Sequence, residues 1–305
     1  MTRYLLARLA QGLVTLLAVS VVVFVLSRLS GDPLTLIMDP MATKADMARE
    51  LARLGLDRSY VEQYAIFLAN ALLGDFGQSV FYKRDAFAVF LEKLPATLEL
   101  GATAMLVSIL IAIPIGVLSA VHQGGWLDRI ARIVALTGQS APVFWIGLVL
   151  ILLFSVTLGW LPTAGRGTIR HLVLPAITLG WYGNAFLMRI TRSAMLDVLG
   201  TDYVKLARLE GLPERRVIWI HAFRNAATSI VTTLGLMSIS LVTGAVVTET
   251  VFAWPGVGRL TVDAIFQRDF PVVQTAVILI AVMVVAVNLA VDLLYAWIDP
   301  RVRVR

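Results

Sequence analysis

The sequence contains no cysteine, only three histidines and four lysines, and just 15% of its 305 residues are charged. Without cysteine there is no disulfide framework, no thiolate metal site and no thiol nucleophile. The shortage of lysine is equally restrictive. A phosphate-cradling G-x-x-x-x-G-K-[ST] loop needs a lysine directly after glycine. Lys44, Lys83, Lys93 and Lys205 instead follow Thr43, Tyr82, Glu92 and Val204, so the chain cannot bind ATP through such a loop. No H-E-x-x-H is present either, which removes a helical zinc hydrolase.

What fills the space is apolar: 58% of the residues are hydrophobic and the mean hydropathy is +0.82. Soluble domains average roughly 45–50% apolar and about 25% charged residues. The excess cannot be hidden in one soluble core and must face lipid or other helices within lipid. A disordered chain, a nucleic-acid module and an ordinary cytosolic enzyme are excluded. The net charge of +6 reads as arginine on the cytoplasmic side of a membrane protein, not as a nucleic-acid surface.

Stretches near 20 residues without charge suit about 30 Å of hydrocarbon. Six emerge: Leu9–Ser27, Leu100–Val121, a span near Pro142–Trp160, Leu172–Met188, Asn225–Thr248 and Val272–Val291. Pro114 and Pro175 are tolerated as kinks in lipid. The first stretch is too long for a signal h-region and lacks an A-x-A-like site, so it reads as a retained anchor. The fold class expected is all-α, a polytopic membrane protein with six transmembrane helices. Orientation follows from Lys and Arg in the short loops. With the N-terminus inside, the inner segments hold fourteen, among them Arg129, Arg132, Arg189, Arg192, Arg215 and Arg216. The short outer loops hold four: Arg166, Arg170, Arg259 and Arg268. Both termini are therefore expected in the cytoplasm.

Between the first two spans, helices are expected near Lys44–Leu54 and Tyr60–Leu72, parted by Gly55-Leu56-Asp57. This outer segment reads either as a cap on the membrane face or as a contact surface. The inner segment 189–225 is more explicit. Thr201 or Asp202 suits the start of a helix through Glu210. Gly211 stands where it would stop, and Pro213 and Glu214 suit the first turn of a second helix leading into span five. A rigid docking feature is expected there rather than a tether.

Glu249 and Asp292 end spans five and six. Intramembrane acids are costly and often functional, so Glu249 either lines a substrate path or is satisfied at the span edge, and the same alternatives hold for Asp292. Ser240, Gly244 and Thr248 form a small-x-x-x-small stripe for helix packing or a subunit interface. Ser140, in Gly138-Gln139-Ser140-Ala141, lacks a base deep in the membrane, since His122, His171 and His221 lie at a span edge or in the inner loop. A membrane hydrolase is set aside. A secondary transporter is the competing class, but no repeat is seen and the spans carry almost no mid-depth charge.

Several stretches resemble permease subunits of binding-protein-dependent ATP-binding-cassette importers, in the dipeptide/oligopeptide/nickel branch. They are Arg3–Leu9 leading to Gly31-Asp32-Pro33, Leu94–Leu100, Asp202–Leu212 with His221–Ala226, Glu249–Gly258 and Asp299-Pro300-Arg301. In order, they cover nearly the whole chain. The family's Glu-Ala-Ala triplet appears as Lys205-Leu206-Ala207, and Ser229 replaces a frequent proline, which weakens the case for a kink at the start of span five. The resemblance implies a type I importer permease: residues 1–30 with the first span, a periplasmic segment 31–95, and a five-helix core 96–305 with a coupling loop at 189–225. It implies a second related permease, two cytoplasmic ATPase subunits that bind ATP and Mg, and an extracytoplasmic binding protein. The solute implied is a peptide, with nickel or another small solute as alternatives. No cofactor is expected in this chain, no enzyme activity, and a location in the bacterial inner membrane. Asp202, Tyr203, Ala207, Arg208, Gly211, Leu212 and Arg215 are the expected ATPase-docking residues, with Ala207 and Gly211 on the contact face. A change at Arg192, outside that helix, is expected to disturb ATPase docking and uptake much less than one at Ala207 or Gly211.

Overall fold

The computed structural model describes residues 2–29 and 57–298. The expected helix near Lys44–Leu54, Gly31-Asp32-Pro33 and Asp299-Pro300-Arg301 lie outside the described residues. Among those described, the chain is helical without a strand; one isolated bridge joins Gln78 and Asp85. The helices are α1 (Thr2–Leu29), α2 (Tyr60–Leu72), α3 (Ala86–Val121), α4 (Trp126–Ser140), α5 (Val143–Leu150), α6 (Ile169–Leu199), α7 (Asp202–Leu209), α8 (Phe223–Val251), α9 (Val257–Phe266) and α10 (Phe270–Ile298). Wider π-helical turns extend α5 over Ile151–Thr157 and lead into α8 over Val217–Ala222. The chain packs as two compact units: residues 1–95 with 256–289, and residues 96–255 with 290–305.

In the first unit α2 begins where the sequence predicts. Ser59 accepts the Glu62 N–H while the Glu62 carboxylate accepts the Ser59 N–H, a reciprocal cap that satisfies two otherwise orphaned donors. Phe24 of α1 meets Tyr64 and Phe67 of α2 at 5.4 and 5.6 Å between ring centres, and Ser20 shares a 2.8 Å hydrogen bond with the Tyr64 hydroxyl. Gln274 of α10 donates to Ser27 at 2.7 Å. A buried carboxylate, Asp269, organises the loop ahead of α3. It accepts the Ser79 hydroxyl and the N–H groups of Val80 and Phe81.

Helix α3 begins fourteen residues before the predicted span, at Ala86, and runs through Pro95 and Pro114 to Val121. Asp85 caps it through the Ala88 N–H, and Ala86, Val89 and Phe90 are buried. Hydropathy alone missed this turn because its polar residues interrupt the apolar run while its buried face stays intact.

In the second unit α6 is central, packed against α4, α5 and α8. That explains an apparent weakness in the count of spans. Leu6–Leu29, Ala86–Val121 and Phe270–Leu293 are long and apolar enough to cross a membrane alone. Two bent pairs, Trp126–Ser140 with Val143–Thr157 and Glu214–Leu241 with Ala245–Val251, raise the number to five. Helix α6 has 31 residues, about 46 Å at 1.5 Å each, but it is shielded by its neighbours and so carries polar residues that a lipid-facing helix would not. The chain turns by 113° between α4 and α5 at Ala141-Pro142, which places the Ser140 motif at a helix end.

Close packing in this unit rests on glycine. A Cβ on Gly116 of α3 would lie 2.7 Å from the Thr191 Cβ and 2.8 Å from the Met188 carbonyl oxygen of α6. One on Gly101 would meet nothing within 4 Å. Gly116→Ala is therefore expected to destabilise the protein by about 1–3 kcal/mol through overpacking. Gly101→Ala should be neutral or slightly stabilising. Thermal unfolding in detergent distinguishes the two, and equal midpoints would remove the close-packing assignment.

Candidate functional site

At the corner between α6 and α8, α7 starts at Asp202 with Thr201 in extended conformation before it, although the Thr201 hydroxyl donates backward to the Val198 carbonyl at 2.6 Å. The stop is the one the sequence predicts. Gly211 has φ +79°, its N–H bonds to the Arg208 carbonyl, and the Leu212 N–H reaches back to the Ala207 carbonyl. This paired 5→2 and 6→1 arrangement needs a left-handed residue, which glycine adopts without strain. Arg208 then grips Glu214 across the turn with contacts of 2.7–3.2 Å, pulling the Glu214 carboxyl below its ordinary value. Asn225 donates to the Tyr203 hydroxyl at 2.7 Å, tying α7 to the start of α8.

The structure assigns the faces of α7 differently from the sequence. Ala207 is buried with Val204, Val217, Ile218, Ala222 and Ala226 in the chain's own core. It does not lie on the exposed face with Tyr203. That face carries Asp202, Tyr203, Leu206 and Leu209, the last two 56% and 85% exposed. Gly211 and Arg215 are exposed and Leu212 is half-buried. Val204/Ala207 and Leu206/Leu209 are both apolar pairs at helical spacing, so periodicity finds two faces without choosing between them.

Beside this corner lies a group that sequence reasoning missed. Asp128, 1% exposed, accepts from Arg192 at 2.7 and 3.1 Å, from the Ser119 hydroxyl at 2.6 Å and from the Gly124 N–H at 3.0 Å. The Arg192 guanidinium holds the carboxyl far below the usual carboxylate range against the opposing effect of burial, with Ser119 and Gly124 acting in the same direction as Arg192. Arg192 is thus a structural partner of Asp128, a role separate from ATPase docking. No spacing in the sequence pairs residue 128 with residue 192.

On the opposite side of this unit, two stretches distant in sequence meet. Thr97 donates to Glu249 Oε1 at 2.6 Å, and Trp254 Nε1 donates to the Ala96 carbonyl at 2.9 Å. Trp254 and Glu249 are both fully buried, so Glu249 neither faces water at the span edge nor lines an open path in this structure. Ala253 is held at φ +48°, a strained value for a residue with a Cβ, and the Trp254 N–H closes on the Glu249 carbonyl. Arg166 stacks over the Trp254 ring at 5.9 Å and donates through Nε and Nη2 to Glu99 Oε2. The Gly165 N–H bonds to the Phe252 carbonyl, fixing the Arg166 loop against the end of α8.

The proposed helix-packing stripe is not uniform. Ser240 is exposed and Thr248 fully buried, while the surroundings of Gly244 lie outside the described residues. Asp292 is half-buried on α10. Among the described residues no group of three or more His, Asp or Glu is placed to hold a metal ion.

With this geometry in hand, comparison with known proteins is direct. Residues 112–304 match the family described as binding-protein-dependent transport system inner membrane component, and residues 1–101 match its N-terminal companion. The chain belongs to this family of multi-pass inner-membrane permease subunits. It is 40% identical to the di/tripeptide transport system permease protein DppB of Pseudomonas aeruginosa and 40% identical to the oligopeptide transport system permease protein AppB of Bacillus subtilis. Each alignment covers 99% of both chains. The glutathione transport system permease protein GsiC of Salmonella choleraesuis is also 40% identical over 99% of both chains. Among solved structures, the MetNI methionine ABC transporter in an inward-facing conformation superposes with a TM-score of 0.60 at 19% identity, covering 69% of this chain and 96% of that one. It shares the fold.

Asp128 supplies a stability test. Removing one partner of a buried ion pair costs roughly 3–5 kcal/mol, and Arg192 keeps some access to water, so Asp128→Asn should cost about 3 kcal/mol at the low end of that range. Because the folded carboxyl titrates below its unfolded value, its stabilisation is complete above about pH 5 and lost only as the medium becomes strongly acid. The gap between wild type and Asp128→Asn in thermal unfolding should therefore be flat from pH 8 to pH 5. A gap that closes within that range contradicts the assignment.

Proposed function

We propose that this chain is the transmembrane permease subunit of an ATP-driven importer that moves di- and oligopeptides across the inner membrane. The solute reading rests on the relatives just described, which are named for di/tripeptide, oligopeptide and glutathione transport and align from end to end. The mechanical reading rests on one observation, the rigid inner corner with its exposed Leu206 and Leu209.

In this reading the six spans lie in α1, α3, α5 with its π-helical extension, α6, α8 and α10, and both termini face the cytoplasm. The chain pairs with a second, related permease and with two cytoplasmic ATPase subunits, and receives its solute from an extracytoplasmic binding protein. ATP and Mg belong to the ATPase subunits, and this chain carries out no catalysis. Residues 1–30 anchor, 31–95 face the periplasm, and 96–305 form the core, with 189–225 as the coupling loop. Tyr203, Leu206 and Leu209 enter a groove on one ATPase. The Gly211 turn, the Arg208–Glu214 pair and the Tyr203–Asn225 bond stiffen the corner, so a push on α7 reaches α8 rather than being absorbed by the loop.

Two experiments test this. Reporter fusions after Gly165 and Phe270 should read outside, and fusions after Gly125 and Glu210 inside. A reversed result at Glu210 removes the docking assignment. Leu206→Asp and Leu209→Asp add charge to an exposed face, which folding tolerates but a closed interface does not. Both should insert normally, yet ATPase co-purification and ATP-dependent uptake should fall at least tenfold, the effect of about 1.4 kcal/mol. Ala207→Asp is the wrong probe, because it buries charge in the chain's own core and should lower the yield of folded protein. Wild-type coupling in both leucine variants would overturn the role given to α7.

A further inference from the structure

The Glu99–Arg166 pair is an odd ornament for a lipid-facing chain. The two side chains are 37% and 41% exposed, yet they are held in register by a fully buried tryptophan and a glycine-pinned loop. They line a cavity of about 320 Å³ with Gly167, Thr168 and Trp254. Its walls are polar, unlike those of the cavity lined by Val19, Val22 and Leu26.

The bonding within the pair is lopsided. Both Arg166 donors, Nε at 2.8 Å and Nη2 at 2.5 Å, converge on the same oxygen, Glu99 Oε2. Among the described residues Arg166 Nη1 has no acceptor and Glu99 Oε1 no donor. The cavity thus offers a cationic N–H and an anionic oxygen that the pair itself does not use. Trp254 fixes the plane of the guanidinium from one side. Thr168 starts the 31-residue helix α6, whose positive N-terminal end adds to the field around Arg166.

We propose that this cavity receives the charged ends of a dipeptide-sized zwitterion, its carboxylate on Arg166 and its ammonium on Glu99. The proposal rests on the importer reading above, which puts the cavity on the outer face, and it names the solute class at that site. Three physical arguments support it. A surface ion pair is itself worth only about 0–1 kcal/mol, so exchanging partners with a zwitterion costs little. The volume lies at the bottom of the roughly 300–1,000 Å³ range of small-molecule sites, which fits a dipeptide or one end of a longer chain. The walls contain no apolar side-chain pocket, so recognition falls on charged ends that all unmodified peptides share, and side chains go unread. The Glu249 carbonyl and the Ala96 carbonyl, bonded to the Trp254 backbone and indole N–H, hold the ring in place.

The alternative role for the same pair is a latch that only holds the Arg166 loop. The two roles separate in the full complex with its ATPase subunits and binding protein, reconstituted in proteoliposomes. Uptake of alanyl-alanine is compared with uptake of alanyl-alaninamide, and binding of both is measured on the complex stripped of its binding protein. Arg166→Gln should lower kcat/KM and affinity for the free dipeptide about tenfold, the scale of one hydrogen bond to a charged group, while leaving the amide unchanged. Glu99→Gln should do the same for alanyl-alanine relative to its N-acetyl form. The exchanged pair, Glu99→Arg with Arg166→Glu, restores a latch but not the guanidinium over Trp254, so it should remain defective. Equal losses for the free and amidated dipeptides in Arg166→Gln, an unchanged free-to-amide ratio, or rescue by the exchanged pair each overturn the proposal and leave the importer reading standing. A wild-type complex that neither moves nor binds alanyl-alanine overturns the peptide reading as well.

Discussion

A carboxylate taken out of water must find its donors inside the chain, and the places where it does so organise this protein. Asp128, Glu249 and Asp269 are each at most 1% exposed. Each sits where a helix begins or ends, and each ties together segments far apart in sequence. Asp128 joins α4 to α6 through Arg192 and to α3 through Ser119. Glu249, near the end of α8, takes the Thr97 hydroxyl of α3. Asp269 holds the turn at Ser79–Phe81. Between these points the helices meet through glycine and alanine, where a single Cβ decides whether two backbones can approach. Lipid gives no hydrophobic push between helices, so buried polar anchors at the ends and close backbone contact in the middle supply the specificity that a soluble core draws from burial.

This arrangement also separates the two working faces. At one end of the second unit, α7 exposes Leu206 and Leu209 among polar neighbours, and the corner behind them is stiffened by a glycine turn, an ion pair and a tyrosine–asparagine bond. Apolar contact with a rigid backing suits transmission of a force. On the other face, charged residues line a small polar cavity over an aromatic floor, which suits brief recognition of a solute. The coupling role proposed for this chain needs both properties at opposite ends, and α6 runs from one to the other.

The corrections made by the structure have a common cause. Ala207 faces the core and not the exposed side of α7 because α7 has two apolar faces, and only packing against Val217 and Ala222 chooses one. The Arg192–Asp128 bond escapes any spacing argument because its partners are 64 positions apart. Helix α3 starts earlier than its hydropathy suggests because burial within the chain, not lipid, supports its first turns. Helix α6 falls short of a simple apolarity test because its neighbours occupy the lipid-facing positions.

The sequence by itself determined the membrane setting, the lack of a G-x-x-x-x-G-K-[ST] loop, the place of α2, the sharp stop at Gly211 and the family. Those features depend on composition or on residues within one or two helical turns, where spacing and backbone preference are sufficient. Only the tertiary structure decided which face of α7 is exposed, that Glu249 is buried against Thr97, and that Arg166 meets Glu99 beside Trp254. The last two depend on side chains brought together across 152 and 67 positions, and the first on which neighbours pack against Ala207. A linear pattern holds no record of which of many compatible partners the packed helices will place in contact.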